Sequence, residues 1–200
     1  MNVIFDIGNV ICRWNAQELV DKLFDSPERR LEALNSIILH GDWIDLDKGL
    51  ISVDQAVANA LSRSSLEEEE IRMVYRETSA ALVPNFAMVD AVRYLKSCGY
   101  PLYVLSNMQK HTWIWLSGRY DFWNIFDGIV VSYAINMVKP DTAIYEYITG
   151  LYSLDPAESI FLDDMKINID AARDFGMTAI HVVDVRTAIL DLYARLGVSR

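Results

Sequence analysis

The chain has 200 residues, 52% of them hydrophobic and 23% charged, with a formal net charge of −10. That length suits one domain, or one domain carrying an insert, and that composition excludes a disordered chain. The acidity argues against a nucleic-acid partner, which needs a basic face, and no apolar run of about 18 residues offers a membrane span.

Asp6 interrupts the first apolar stretch and no basic leader precedes it, so we expect no signal peptide and a cytoplasmic protein. Cys12 and Cys98 form no CxxC pair and read as reduced thiols. Along the chain, short aliphatic runs at 3–5, 102–105, 129–131, 160–162 and 179–183 have the character of strands covered on both faces. Between the later runs, helices are expected over 86–97 with Gly99 as the stop, over 142–149 with Gly150 after it, and over 167–175 ending at Gly176. The last begins beyond Asp184. Strand–helix–strand alternation implies a parallel sheet in an α/β layer fold.

Residues 15–83 break that rhythm. Ala16, Leu19, Val20, Leu23 and Phe24 recur at helical spacing. Ser26-Pro27 reads as a cap and first-turn proline, and Ser52-x-x-Gln55 and Ser65-x-x-Glu68 as capping boxes. We expect about four helices here, with 40–52 too polar and glycine-marked to be helical throughout. The run of acids at 67–70 reads as a solvated first turn.

Four strand ends finish on polar residues: Asp6; Ser106 and Asn107; Lys139, in VKPD beyond the third strand; and Asp163 and Asp164. Each alone is an ordinary cap or turn residue. Together, at the carboxyl edge of one sheet, they would line one crevice. The combination makes chemical sense. A carboxylate such as Asp6 can attack phosphorus. A hard cation such as Mg²⁺, held by Asp6 and one of the paired acids, would remove the repulsion between carboxylate and phosphate dianion. Ser106 can bind a phosphate oxygen and Lys139 can offset developing charge. A receiver domain uses similar groups, but it places its acidic pair at the first strand and has no helical insert.

In FDIGNVI, YVLSN, VKPD and FLDDMKINIDAA, in that order, the chain resembles the haloacid dehalogenase superfamily over essentially its whole length. The resemblance implies a Rossmann-like α/β core at 1–14 and 84–200, with an inserted all-helical cap at 15–83. It implies that Asp6 is the nucleophile, Ser106 the phosphate-binding hydroxyl and Lys139 the residue that steadies both. It makes Asp6, the Gly8 carbonyl and Asp164 the Mg²⁺ ligands, with Asp163 in support, and Asn168 a tie for the acidic loop. Asn107 and, from the cap segment 40–49, Trp43 join Ser106 and Lys139 as substrate-binding residues. Asp45, Asp47 and Lys48 of that segment are further candidates. The implied protein is a Mg²⁺-dependent phosphatase of a small phosphorylated metabolite, a monomer or weak homodimer.

One position departs from the pattern. Phosphatases of the superfamily usually place a second aspartate two residues after the nucleophile, as general acid and base. Here that residue is Gly8, and general acid catalysis contributes about 10²–10⁴-fold. The FDxGNV form is similar to a sub-group that includes a glucose-1-phosphate phosphatase. The alternatives are a metal-independent 2-haloacid dehalogenase, which does not explain the acidic pair, and a weakly catalytic binding protein, which does not explain retention of all four motifs. His111 is a further residue to weigh as substitute acid.

Overall fold

Strand β1 (Asn2–Phe5) lies at the centre of a parallel sheet, where Val3, Ile4 and Phe5 are covered on both faces. The protein is described here by a computed structural model over residues 1–199. The sheet also contains β4 (Leu102–Ser106), β5 (Gly128–Val131), β6 (Ser159–Asp163) and β7 (Thr178–His181), in the order β5-β4-β1-β6-β7. β1 pairs with β4 on one side and β6 on the other, with Phe5 opposite Val104 and Leu162. The two strand ends beside Asp6 are therefore those that carry Ser106 and Asp163.

Alternation along the strands divides the core. Val3 and Phe5 pack on one face with Met88, Val92 and Leu95 of α6 (Phe86–Ser97) and Leu192 of α10 (Val185–Leu196). Ile4 and Phe161 pack on the other with Ile144 and Tyr145 of α8 (Thr142–Tyr152) and Ile169 of α9 (Lys166–Asp174). Each fully buried side chain of this size contributes about 1.5–3 kcal/mol. α7 (Lys110–Arg119) follows β4.

The helical insert contains α1 (Ala16–Leu23), α2 (Pro27–Ala33), a π-helical turn (Leu34–Ile38), α3 (Gly41–Asp47), α4 (Val53–Arg63) and α5 (Glu68–Ala81). Its apolar cluster, with Val20, Ile37, Val57, Ile71 and Val74, is distinct from those of the sheet. The chain leaves and re-enters the core through an antiparallel pair, β2 (Cys12–Arg13) and β3 (Val83–Pro84). Among the described residues no helix is long and apolar enough to cross a membrane, and neither cysteine is in a disulfide.

Several local expectations are corrected. α8 passes through Gly150 and ends at Ser153, in left-handed conformation at φ 54°. The strand expected over 179–183 ends at His181. Ser65 does not cap α5: its backbone and hydroxyl bond Glu32, and Glu67 and Glu70 form the capping box instead. The segment 40–52 is not helical throughout, as expected, but it holds one short helix, α3, started by the His40 ring accepting from Asp42 N. The expected caps at Ser26, Ser52 and Asp184 are in place.

Candidate active site

Asp6 follows β1 directly, its amide donating to Leu162 O at 2.9 Å, so the sheet ladder itself fixes where the carboxyl emerges. Lys139, fully buried, reaches it from beyond β5: Nζ lies 2.9 Å from Asp6 Oδ1 and 2.6 Å from Asp163 Oδ2. Asn107 sets that lysine's backbone. Its Nδ2 donates to Lys139 O at 2.9 Å and its Oδ1 accepts from Lys139 N at 2.8 Å. Ser106, 1% exposed at the end of β4, has its hydroxyl beside Asp6.

The paired acids are held unequally. Asp163 is wholly buried. Its Oδ1 accepts from Met165 N at 2.7 Å and Asn168 Nδ2 at 3.0 Å, and its Oδ2 from Lys139 and, at 3.1 Å, Asn168. Asp164 is half-buried and accepts from Asn9 Nδ2 at 2.9 Å, while Asn9 Oδ1 accepts from Trp14 N. Asn9 sits at φ 52°, a conformation that asparagine tolerates better than most residues.

Oxygens of Asp6, Asp163 and Asp164 lie within 4.8 Å of one another. Lys139 is the cation paired with two of them, so the cluster carries excess negative charge and presents oxygen donors alone, the donor set that suits Mg²⁺. Because Asp163 already accepts four hydrogen bonds, Asp164 is the more available of the pair. Gly8 lies beside them; a Cβ there would meet only Asp6 Oδ2, at 4.0 Å, and its φ is not positive. The glycine is thus not imposed by backbone conformation.

Burial pushes the Asp6 carboxyl up to about 7, with Asp163 adding to the rise and Lys139 and Ser106 opposing it. Burial also works against the charge of Lys139, but Asp6 and Asp163 outweigh it and the pKa is raised. Asp164 is raised by burial and by Asp163, against the Asn9 hydrogen bond. Charge on one member of this group is therefore conditional on the others.

A cavity of about 100 Å³ opens from Asp6 and Gly8 toward the helical insert. Core residues Asn107, Met108, Gln109 and Thr112 and insert residues Trp43, Asp47 and Thr78 share its wall, with Trp14 and Leu82 at the junction. Trp43 is stacked between Trp14 and Tyr75, at centroid distances of 6.1 and 6.2 Å. Asp45 and Lys48 are not on this wall. Nor is His111, whose Nε2 lies 3.1 Å from Tyr75 O and whose burial lowers its pKa. Burial, and then repulsion by Asp6, push the Asp47 carboxyl up to about 8. Both amide atoms of Gln109 are buried without a hydrogen-bond partner. Gln109 was not singled out from the sequence, where SNMQ gives no sign that this side chain turns inward.

The profile of the haloacid dehalogenase-like hydrolases matches residues 50–182. The chain belongs to that family. It is 31% identical to a sesquiterpene phosphatase of Aspergillus oryzae, over 97% of this chain and 95% of that one. It is 24% identical to a D-ribitol-5-phosphate phosphatase of Bacteroides thetaiotaomicron, over 88% of each. In fold it is similar to a haloacid dehalogenase family enzyme of Bacteroides thetaiotaomicron, an aspartate-to-alanine variant in complex with magnesium and inorganic phosphate. The TM-score is 0.71 at 19% identity, covering 90% of this chain and 92% of the other. The family is one of hydrolases, and the parallel sheet with its HAD-like neighbours gives the core its class.

Proposed function

We propose that this hydrolase is a Mg²⁺-dependent phosphatase that works through an aspartyl-phosphate on Asp6. The observation that carries the reading is the Asp6–Lys139–Asp163 chain of contacts at 2.9 and 2.6 Å, with Asp164 beside it and a small cavity in front. Asp6 Oδ attacks phosphorus. Lys139 holds Asp6 in place and offsets charge that builds on the phosphoryl oxygens, and the Ser106 hydroxyl is close enough to Asp6 to bind one of them. Mg²⁺, held by Asp6, Asp164 and the Gly8 carbonyl, would neutralise the approach of carboxylate to phosphate. Asp163 has its hydrogen bonds filled from within, and supports this set by orienting Lys139 and the loop that carries Asp164. A dehalogenase has no need of Asp164, which lies half-exposed beside two other carboxylates.

The substrate reading is a small phosphate monoester whose organic part meets Trp14, Trp43, Leu82 and Met108. That wall favours an apolar or aromatic alcohol, and the relative at 31% identity, named for a sesquiterpene substrate, supports it. The sugar-phosphate alternative is supported by the D-ribitol-5-phosphate phosphatase relative. A screen of prenyl, aryl and sugar phosphates, each with Mg²⁺ and with EDTA, tests both. We expect Mg²⁺-dependent phosphate release, fastest for apolar esters. Activity undiminished by EDTA, or halide release from 2-haloacids, would overturn the phosphatase reading; preference for polyol phosphates would overturn the substrate reading alone.

A further inference from the structure

The cavity holds a carboxyl that the phosphatase reading leaves unused. Asp47, 8% exposed, is the last residue of α3 and lines the same wall as Asp6 and Gly8. Among the described residues its carboxyl has no hydrogen-bond or ion-pair partner. Its backbone, in contrast, is anchored to the core. Ser132 Oγ donates to Asp47 O, and the same hydroxyl accepts from Met108 N at 2.8 Å. One residue on, Lys48 O accepts from Asn136 Nδ2 at 2.7 Å. Then Gly49, at φ 68°, brings the chain so close to the core that a Cβ would lie 2.5 Å from Tyr133 O. Three consecutive residues thus fix the end of α3 against the segment that follows β5, while the Asp47 carboxyl is left unpaired in the cavity.

A buried carboxyl without a partner is costly unless it meets a ligand. Gln109 on the same wall repeats the pattern, with its amide oxygen and nitrogen both buried and unmet. Two unrelated side chains left unsatisfied in one cavity point to polar ligand atoms there. Gly8, meanwhile, leaves the leaving-group oxygen with no proton donor from the position that usually supplies one.

We propose that Asp47, delivered by the helical insert, is the general acid and base of the reaction. The inference rests on the phosphatase reading above. In the first step an Asp6 oxygen bonds to phosphorus, the bond from phosphorus to the leaving oxygen breaks, and the proton of Asp47 passes to that oxygen. The alcohol departs, leaving the aspartyl-phosphate and the Asp47 carboxylate. In the second step Asp47 takes a proton from water as the water oxygen bonds to phosphorus. The bond from phosphorus to Asp6 breaks, phosphate leaves, and both carboxyls return to their starting state. The raised pKa of Asp47 is consistent with a proton carried before the first step.

The test compares single-turnover rates for an aryl and an alkyl phosphate in wild type, D47N, G8D and the G8D/D47N pair, with Mg²⁺ present. In D47N the alkyl rate should fall about 10²–10⁴-fold, and the aryl rate far less, because a phenolate leaves without a proton. The aryl ester should give a burst of phenol, with phosphate retained on Asp6 and visible by intact mass, because the second step has lost its base. G8D/D47N should regain alkyl turnover, since position 8 has room for a side chain. In G8D alone the ratio of alkyl to aryl rate should stay close to that of wild type whatever the absolute rates, because the acid is already present. That last arm does not depend on D47N folding. Equal losses for both esters in D47N without a phosphoenzyme, or a large rise of that ratio in G8D alone, would overturn the assignment. Absence of any phosphoenzyme or turnover in wild type would instead overturn the phosphatase reading beneath it.

Discussion

The sheet side of the cavity and its helical side hold their polar groups in opposite ways. On the sheet side, Lys139, Asp163, Asn107 and Asn168 bond to one another and to backbone, and Asp163 alone accepts four hydrogen bonds. On the side where the insert meets α7, the Gln109 amide is buried without a hydrogen-bond partner, and among the described residues the Asp47 carboxyl on the same wall has none either. A fully satisfied network is rigid and holds its geometry before substrate arrives. Unsatisfied groups gain their partners only when something enters. On the proposed reading, the difference separates a preorganised phosphoryl site from a side whose polar groups, Asp47 among them, are satisfied only by substrate, and substitutions on the two sides should fail differently.

The largest effect belongs to the sheet side. Asp6→Asn should lower turnover by about 10⁴-fold or more, because the amide cannot form the phosphoryl ester. Initial rates with intact-mass detection of the phosphoenzyme check it, and a phosphorylated intermediate that still accumulates in the variant would break the scheme. Next, Lys139→Met leaves Asp6 and Asp163 buried without their cation. It should cost about 3–5 kcal/mol of stability, measured by urea unfolding. A small loss would mean that the carboxylates are protonated or hydrated at no great cost.

The acidic pair sharpens the contrast within one loop. Asp164→Ala should weaken Mg²⁺ binding more than Asp163→Ala, whereas Asp163→Ala should lower the melting temperature more, since it strips partners from Lys139 and Asn168. Calorimetric titration beside thermal melts decides this, and equal effects in both assays would reverse the assignment. Asn9→Gly, which keeps the positive φ but removes the hydrogen bond to Asp164, should weaken Mg²⁺ binding by about 10–100-fold. The smallest effect is expected at Trp43, on the helical wall. Trp43→Ala should raise KM about 10-fold for apolar phosphates, with kcat less affected, as for uniform binding. A fall in kcat with unchanged KM would place Trp43 with the chemistry instead.

The sheet side was legible in the sequence because its logic is local. A strand that ends on Asp6, Ser106 or Asp163 carries that polar residue at a fixed offset from an apolar run, and parallel pairing brings the ends together. The helical side was legible only in part. Trp43, Asp45, Asp47 and Lys48 stood out together as candidates in a segment that breaks the strand–helix rhythm, but which of the last three turns inward depends on the helical phase of α3. The glycine and charges at 40–52 hid that helix, which is started by a histidine cap rather than by the usual small polar residue. Gln109 and Thr78 reach the cavity only through docking of α5 against α7, and no periodicity reports that. Likewise Asn9 reads as a turn residue until Asp164, far along the chain, is brought beside it.

The cavity's volume has a kinetic consequence. About 100 Å³ accommodates a phosphoryl group and a few further atoms, well below the roughly 300–1,000 Å³ of pockets that enclose a larger organic ligand. On the proposed reading, a substrate with a longer carbon body is enclosed only if the wall parts and re-forms in each catalytic cycle. The contacts that resist parting are those at the end of α3, from Ser132 to Asp47 O and from Asn136 to Lys48 O. On the proposed reading, their breaking would set a ceiling on turnover that is independent of leaving-group chemistry. For long-chain esters, kcat should then fall as solvent viscosity rises, while for compact aryl esters it should be insensitive to viscosity.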